Sequence, residues 1–136
     1  MDIYEVVSNG LIDELQNLLD SSPELVNEAD EDGFTPLHYA ASNADLDTAG
    51  ILLQYGASVN AQDNSGKTPL YIAIHKGCYE TVNLLLVNGA SLVITNNHGL
   101  IPNEYARANR QYKIVELLGK WKQKITLDML EAAEVD

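Results

Sequence analysis

The segment Gly33-Phe-Thr-Pro-Leu-His-Tyr-Ala-Ala41 is the most informative part of the sequence, because it recurs along the chain. It returns 33 residues later as Gly66-Lys-Thr-Pro-Leu-Tyr-Ile-Ala-Ile74, and once more, loosely, as Gly99-Leu-Ile-Pro-Asn-Glu-Tyr-Ala-Arg107. A second block keeps the same period, first as Ile51-Leu-Leu-Gln-Tyr-Gly-Ala-Ser-Val-Asn60 and then as Leu84-Leu-Leu-Val-Asn-Gly-Ala-Ser-Leu-Val93. Two blocks in one register indicate a repeated structural unit.

Each unit predicts a pair of short helices. Thr35 and Thr68 are N-cap candidates whose hydroxyls can accept from backbone N–H groups, and a proline follows each at the first helical position, where a missing N–H costs nothing. Leu37, Ala40 and Ala41 then recur at the spacing of one helix face. The second block supplies the apolar face of a second helix. A pair this short cannot bury its apolar face alone, so we expect the units to stack.

The segments Thr-Pro-Leu-His at 35–38 and Gly-Ala-Ser-Val-Asn at 56–60 resemble the ankyrin repeat family. The resemblance implies an all-α solenoid of helix-turn-helix units with projecting β-turn loops. We predict one domain over residues 1–124, followed by an acidic C-terminal tail or short helix at 125–136. The predicted repeats run over about 1–29, 30–62, 63–95 and 96–124.

The first and last repeats diverge from the two in the middle, so we predict that both act as caps. In the last repeat, Ile101 stands in place of the capping Thr and Asn103 in place of a buried Leu. Glu104 stands where His38 stood, and Gly119 takes the place of the third Leu of the second block. A terminal repeat needs one packed face and one polar face, which these exchanges favour.

The charge of the chain restricts its partners. Twenty acidic residues against eight Lys and Arg give a net charge of −12. This charge repels nucleic acid phosphates and anionic lipid headgroups, so we expect neither nucleic acid nor membrane as a partner. A protein with a basic patch fits best.

No residue set in the sequence predicts catalysis, a cofactor or a metal. The resemblance gives His38 a structural role in linking neighbouring loops, and His75 and His98 occupy other positions of the repeat. Cys78 is the single cysteine and has no obvious partner for a dyad. Gly66-Lys-Thr68 looks like the end of a phosphate-binding loop but lacks its first Gly, since Gln62 stands there. We therefore predict that the chain is not an enzyme.

In the ankyrin family, partners usually meet the concave face, which is made of the turn tips and the inner helices. Carried over to this chain, the resemblance predicts a set of partner-binding residues. They are Glu31, Asp32, Phe34, Ser42, Asn43, Asn64, Ser65, Lys67, His75, Lys76, Asn97, His98, Leu100 and Asn109. Phe34 is the one Phe of the chain and lies among acids; it is either an exposed interface anchor or packed on a neighbouring turn.

Two functions remain open at the level of sequence. One is a protein-binding adaptor or inhibitor, and the alternative is the interaction fragment of a larger enzyme or trafficking protein. We expect a monomer. The N-terminus lacks the apolar segment of a secretory signal, and a lone cysteine suits a reducing compartment, so we expect the cytoplasm or the nucleus.

Overall fold

The computed structural model describes residues 1–134; Val135 and Asp136 lie outside the described residues. Within 1–134 the chain forms α-helices and no strand, as predicted. In chain order the helices are α1 (Ile3–Ser8), α2 (Ile12–Ser21), a 3₁₀ helix (Pro23–Asn27), α3 (Pro36–Ser42), α4 (Leu46–Gln54), α5 (Pro69–Lys76), α6 (Tyr79–Val87), α7 (Pro102–Ala108) and α8 (Tyr112–Glu134).

The helices form four pairs, and each pair has an inner and an outer helix. The inner helices α1, α3, α5 and α7 contact one another in that order along the stack. The outer helices α2, α4, α6 and α8 do the same on the other side. Every pair therefore buries its apolar face against its own partner helix and against the next pair.

Proline sets the start of three inner helices. Pro36, Pro69 and Pro102 each occupy the first helical position, after a residue with extended backbone. The sequence predicted that the Thr68 hydroxyl caps α5, and the predicted hydrogen bond is absent from the described part of the chain. Thr68 stands at the N-cap position, but its buried hydroxyl has no hydrogen-bond partner within the described residues.

Buried leucines and alanines of the inner helices supply much of the core between the pairs. Leu37 and Leu70 are fully buried, and so are the alanines at 40, 73 and 106. An alanine adds little bulk, so adjacent inner helices approach closely around each leucine. Leu15, Leu52, Leu85 and Leu118 supply the matching buried layer from the outer helices.

The last helix is much longer than the others. α8 runs for 23 residues and crosses the predicted boundary between 124 and 125 without a break. Residues 125–134 therefore continue α8, and Asp128-Met-Leu-Glu131, which has the form of a helix start, lies inside it. Ile114 and Leu118 are buried, whereas Ile125 is exposed, so only the first half of α8 packs on the stack.

We predict that Gly119→Ala stabilises the protein by about 0.5–1 kcal/mol. Gly119 lies inside α8, and a Cβ added there meets no atom within 4 Å. Alanine therefore gains helix propensity without a clash. Gly50→Ala in α4 is the matched comparison, because a Cβ there also meets nothing within 4 Å. Urea denaturation would measure both; a loss of stability confined to the Gly119 variant would contradict the open surroundings of this residue.

Candidate protein-binding face

Three projecting turns precede α3, α5 and α7, at 30–34, 63–67 and 96–100, and share one hydrogen-bond pattern. In the first turn, Asp30 Oδ1 accepts from the backbone N–H groups of Asp32 and Phe34, each at 2.9 Å. Asp63 repeats this pattern in the second turn. Asn96 repeats it in the third. One carboxylate or amide oxygen thus holds each turn closed.

Neighbouring turns are joined to each other. The Asn64 backbone N–H donates to the Asp32 carbonyl at 3.0 Å, and its side-chain amide donates to the Glu31 carbonyl at 3.0 Å. The Asn97 backbone N–H donates to the Ser65 carbonyl at 3.0 Å, and its amide donates to the Asn64 carbonyl. These bonds make the turns one continuous surface.

Inner helices are also tied to the turn that follows them. His38 Nδ1 accepts from the Thr35 N–H at 3.1 Å, so Nε2 carries the proton and donates to the Lys67 carbonyl at 2.9 Å. Tyr71 occupies the same repeat position, and its hydroxyl lies 2.6 Å from the Leu100 carbonyl. Two different side chains therefore make the same link from helix to turn.

Aromatic side chains line the inner helices beside the turns. The ring centres of Tyr4 and Tyr39 lie 5.2 Å apart, and those of Phe34 and Tyr39 lie 5.9 Å apart in an edge-to-face arrangement. Further along the stack, the Tyr71 and Tyr105 rings lie 5.1 Å apart. These distances are those of favourable aromatic pairs.

A small recess of about 100 Å³ opens beside Phe34. It is lined by Phe34, His38, Tyr39, Ser42 and Ile72. The ring of Phe34 is half-buried against His38 and Tyr39, on the inner helix of its own unit.

The first turn is strongly acidic and internally hydrogen-bonded. Burial raises the pKa of the Asp30 carboxyl, but the Tyr39 hydroxyl and the N–H groups of Phe34 and Asp32 donate to it, and together they hold that pKa below its usual value. The same hydrogen bond raises the pKa of Tyr39 to about 12. Glu31 and Asp32 point to solvent and are free of such partners among residues 1–134.

The family follows from the sequence match that accompanies this architecture. The family described as "Ankyrin repeats (3 copies)" matches residues 3–96 and 62–128. The chain belongs to the ankyrin repeat family. Ankyrin repeats generally mediate contacts between proteins, and ankyrin domains are typically non-catalytic.

Several curated ankyrin proteins share segments with the chain. Human DNA-binding protein RFXANK is 37% identical over 57 residues, which are 42% of this chain and 22% of that protein. Ankyrin repeat domain-containing protein 49 of Drosophila melanogaster is 43% identical over 56 residues, 41% of this chain and 26% of that protein. Palmitoyltransferase akr1 of Schizosaccharomyces pombe is 39% identical over 57 residues, 42% of this chain and 9% of that enzyme. The matched segments thus span about a quarter or less of these relatives.

The ankyrin fold places the fourteen predicted binding residues on the turns, on the inner helices and at their ends. Half-buried among them are Phe34, Ser42, Lys67, Leu100 and Asn109. Exposed are Glu31, Asp32, Asn43, Asn64, Ser65, His75, Lys76, Asn97 and His98.

Some of these side chains make contacts that hold the stack together. The amides of Asn64 and Asn97 join neighbouring turns. The amide of Asn109 donates to the Tyr105 carbonyl at the end of α7. Lys67 Nζ stands 5.4 Å from the centre of the Tyr105 ring. Side chains without such contacts within the stack are the better candidates for partner contact, and Glu31 and Asp32 are the clearest examples.

Sequence reasoning missed the half-buried row Tyr39, Ile72 and Tyr105, which repeats at a spacing of 33. The spacing was visible, but the residue type changes from ring to aliphatic chain and back, so no motif marked the position. Tyr4 was also missed; its hydroxyl donates to the Glu28 carbonyl at 2.7 Å.

Two further features of residues 1–134 concern metal binding and the single cysteine. Across this range no group of three or more His, Cys, Asp and Glu side chains could hold a metal ion. The Cys78 thiol lies 3.0 Å from the Thr81 hydroxyl at the start of α6. None of the helices in the described part combines the length and the apolar composition that crossing a bilayer requires.

We predict that His38 makes stability depend on pH. Burial lowers the pKa of His38 below its usual 6.5, because the charged imidazolium loses its hydration inside the stack. The hydrogen bond to the Lys67 carbonyl and the nearby carboxylates of Asp63 and Asp30 oppose this shift only in part. As the pH falls through 6.5, the imidazole of the unfolded chain takes up a proton before that of the folded chain, so stability declines. The contribution of neutral His38 to the free energy of unfolding is therefore fully present above pH 6.5 and is lost as the pH falls below it.

Urea denaturation at pH 7.5 and at pH 5.5 (roughly one unit on either side of an unperturbed imidazole) measures this decline. We expect it to be smaller in His38→Tyr, since tyrosine makes the equivalent link at position 71. His98→Gln, a change of an exposed imidazole, should behave like the parent. An unchanged pH profile in His38→Tyr would contradict the assignment.

Proposed function

We propose that the chain binds another protein through its concave face, as an adaptor or inhibitor, and has no catalytic activity of its own. The concave face here means the turns at 30–34, 63–67 and 96–100 together with the exposed sides of α1, α3, α5 and α7. The observation that carries the proposal is the recess beside Phe34, with half-buried rings next to the carboxylates of Glu31 and Asp32.

Aromatic side chains supply large contact area at a small cost in conformational freedom. Phe34 and Tyr39 already hold fixed positions against each other, so little side-chain entropy remains to be lost on binding. The carboxylates beside them, in a chain of charge −12, attract a basic partner and speed its encounter. A protein segment with a basic patch and at least one apolar side chain matches this face.

The name of RFXANK describes that protein as DNA-binding, but we do not propose DNA binding for this chain. Counterion release from DNA requires Lys and Arg on the binding surface. Among the fourteen predicted residues only Lys67 and Lys76 carry a fixed positive charge, and Lys67 is directed to the Tyr105 ring. A protein partner remains the better match.

Affinity capture from cells of the source organism, read by quantitative mass spectrometry, tests the proposal. We expect proteins retained by the parent chain to be lost at least about tenfold in a variant with Glu31→Lys and Asp32→Lys, because attraction then becomes repulsion. Phe34→Ala should lose the same proteins.

The matched control carries Asp13→Lys and Glu14→Lys, an equal charge change on two exposed residues of the outer helix α2. It should retain the partner set, and the melting temperature of each variant confirms folding. Equal capture by the parent, by the Glu31→Lys, Asp32→Lys variant and by Phe34→Ala would contradict the proposal.

A second candidate is an interaction segment of a larger enzyme or trafficking protein. The match to palmitoyltransferase akr1, of which the aligned segment is 9%, favours it. Sequencing the full-length transcript separates the two candidates. A reading frame that continues beyond Asp136 into an enzyme domain supports the second, and a stop codon there supports the first.

A further inference from the structure

A large apolar groove lies at the C-terminal end of the stack, away from the concave-face turns of the first units. Its volume is about 780 Å³. The end of α6 and the segment after it form one wall, the start of α7 the floor, and α8 the other wall. Its main apolar side chains are Leu86, Leu92, Ile101, Leu118, Trp121 and Ile125.

The groove exists because the last unit lacks two leucine side chains that the repeat supplies elsewhere. Gly119 stands where Leu53 and Leu86 stand in the preceding units, and a Cβ there would meet nothing within 4 Å. Asn103 stands where Leu37 and Leu70 are fully buried. Asn103 and Gly119 both line the groove.

An apolar stripe on α8 runs out of this groove into solvent. Ile114, Leu118, Trp121, Ile125 and Met129 follow one another at three- and four-residue steps, which places them on one side of the helix. The stripe begins buried, but Ile125 is 43% exposed and Met129 is 68% exposed. Its outer half therefore has no cover within residues 1–134.

Charge along α8 changes sign at the same place. Arg107 and Lys122 line the groove, and Lys124 stands 4.9 Å from the centre of the Trp121 ring. The exposed end of α8 instead carries Asp128 and Glu131. One half of this surface is thus basic and the other acidic, which makes the surface complementary to a copy of itself.

We propose that a second copy of this chain covers the groove with its own α8. The two helices lie antiparallel across a two-fold axis at Ile125, so that the exposed end of each enters the groove of the other. Such an interface is isologous, because each copy offers the same patch. Sequence alone predicted a monomer, but no sequence pattern brings the groove and the stripe together; the fold does.

The pairing register follows from the axis. Met129 of one copy faces Trp121 of the other, and Ala132 faces Leu118, which continues the apolar stripe through the groove. Asp128 of one copy lies opposite Lys122 of the other, so that opposite charges meet. In an antiparallel pair these contacts occur twice, so each favourable pair is doubled.

Sedimentation velocity of the full chain over a wide range of concentrations tests the proposal. We expect a monomer–dimer equilibrium, and Ile125→Glu should weaken it at least about tenfold because a charge then lies at the centre of an apolar contact. Leu127→Glu is the matched control. Leu127 is 58% exposed on the same helix, but two residues from Ile125 it faces the opposite side. A chain that stays monomeric, or a dimer that Leu127→Glu weakens as much as Ile125→Glu, overturns the proposal.

A charge exchange tests the register. Lys122→Asp alone and Asp128→Lys alone should each weaken the dimer, because each sets like charges opposite one another. Both changes in one chain should restore it. A double variant as weak as the weaker single variant overturns the antiparallel arrangement, and circular dichroism of each variant confirms that α8 is intact.

Discussion

Replacing Leu70 with alanine is expected to lower the free energy of unfolding by about 2–5 kcal/mol. Leu70 is fully buried on α5, the inner helix that contacts both α3 and α7. The substitution removes apolar contact and leaves a cavity that the stack cannot close without shifting an adjoining pair. Because this unit lies between two others, the loss weakens the interfaces on both sides.

Urea denaturation followed by circular dichroism measures the effect. Leu46→Ala is the matched control, since Leu46 is also on a helix of the stack but is 41% exposed. We expect the control to lose well under half as much. A Leu70→Ala variant within about 1 kcal/mol of the control would mean that α5 is not the centre of the core.

Gly66→Ala is expected to lower the free energy of unfolding by roughly 2–4 kcal/mol, through two separate costs. Gly66 has a φ of 77°, a conformation that alanine adopts only with strain. Its added Cβ would also lie 2.5 Å from Asn97 Oδ1 and 3.0 Å from the Asn97 backbone nitrogen. The next turn must then move, which breaks the bond from the Asn97 N–H to the Ser65 carbonyl.

Gly99→Ala separates the two costs. Gly99 occupies the same position of the last turn with a φ of 74°, but a Cβ there meets nothing within 4 Å. It therefore carries the strain without the collision, about 1–2 kcal/mol. Denaturation of both variants should show the larger loss for Gly66→Ala. Equal losses would contradict the docking of one turn on the next.

Much of the stack could be predicted from the sequence because its local signals agree. The dipeptides at Thr35-Pro36 and Thr68-Pro69 mark the starts of α3 and α5, and the following Leu and Ala spacing marks the buried face. These features depend on neighbours within one turn of helix, which a sequence displays directly. The period of 33 then indicated how the units stack.

The full length of α8 and the link at position 38 were harder to predict. Residues 120–134 contain no Gly or Pro to stop α8, yet Asp128-Met-Leu-Glu131 has the form of a helix start inside it. At the position of His38, the next unit uses Tyr71 for the same bond to the following turn. A shared geometry made by different side chains is visible only in three dimensions.

The aromatic row beside the turns shows the same limit. Tyr39, Ile72 and Tyr105 occupy one position of the repeat, yet they differ in chemistry. Their exposure depends on how closely adjacent inner helices pack, and the buried alanines at 40 and 73 allow a close approach. Sequence periodicity predicted the buried face of each inner helix, but it did not predict the half-buried row beside the turns.

Amide hydrogen exchange of the chain, with and without a partner recovered by capture, shows directly whether a partner covers the concave face. We expect slower exchange on binding at the turns 30–34 and 63–67 and in α3, with α4 and α6 unchanged, because the partner covers the concave face and leaves the outer helices free. Slower exchange in the outer helices, with these turns unaffected, would contradict binding through the concave face.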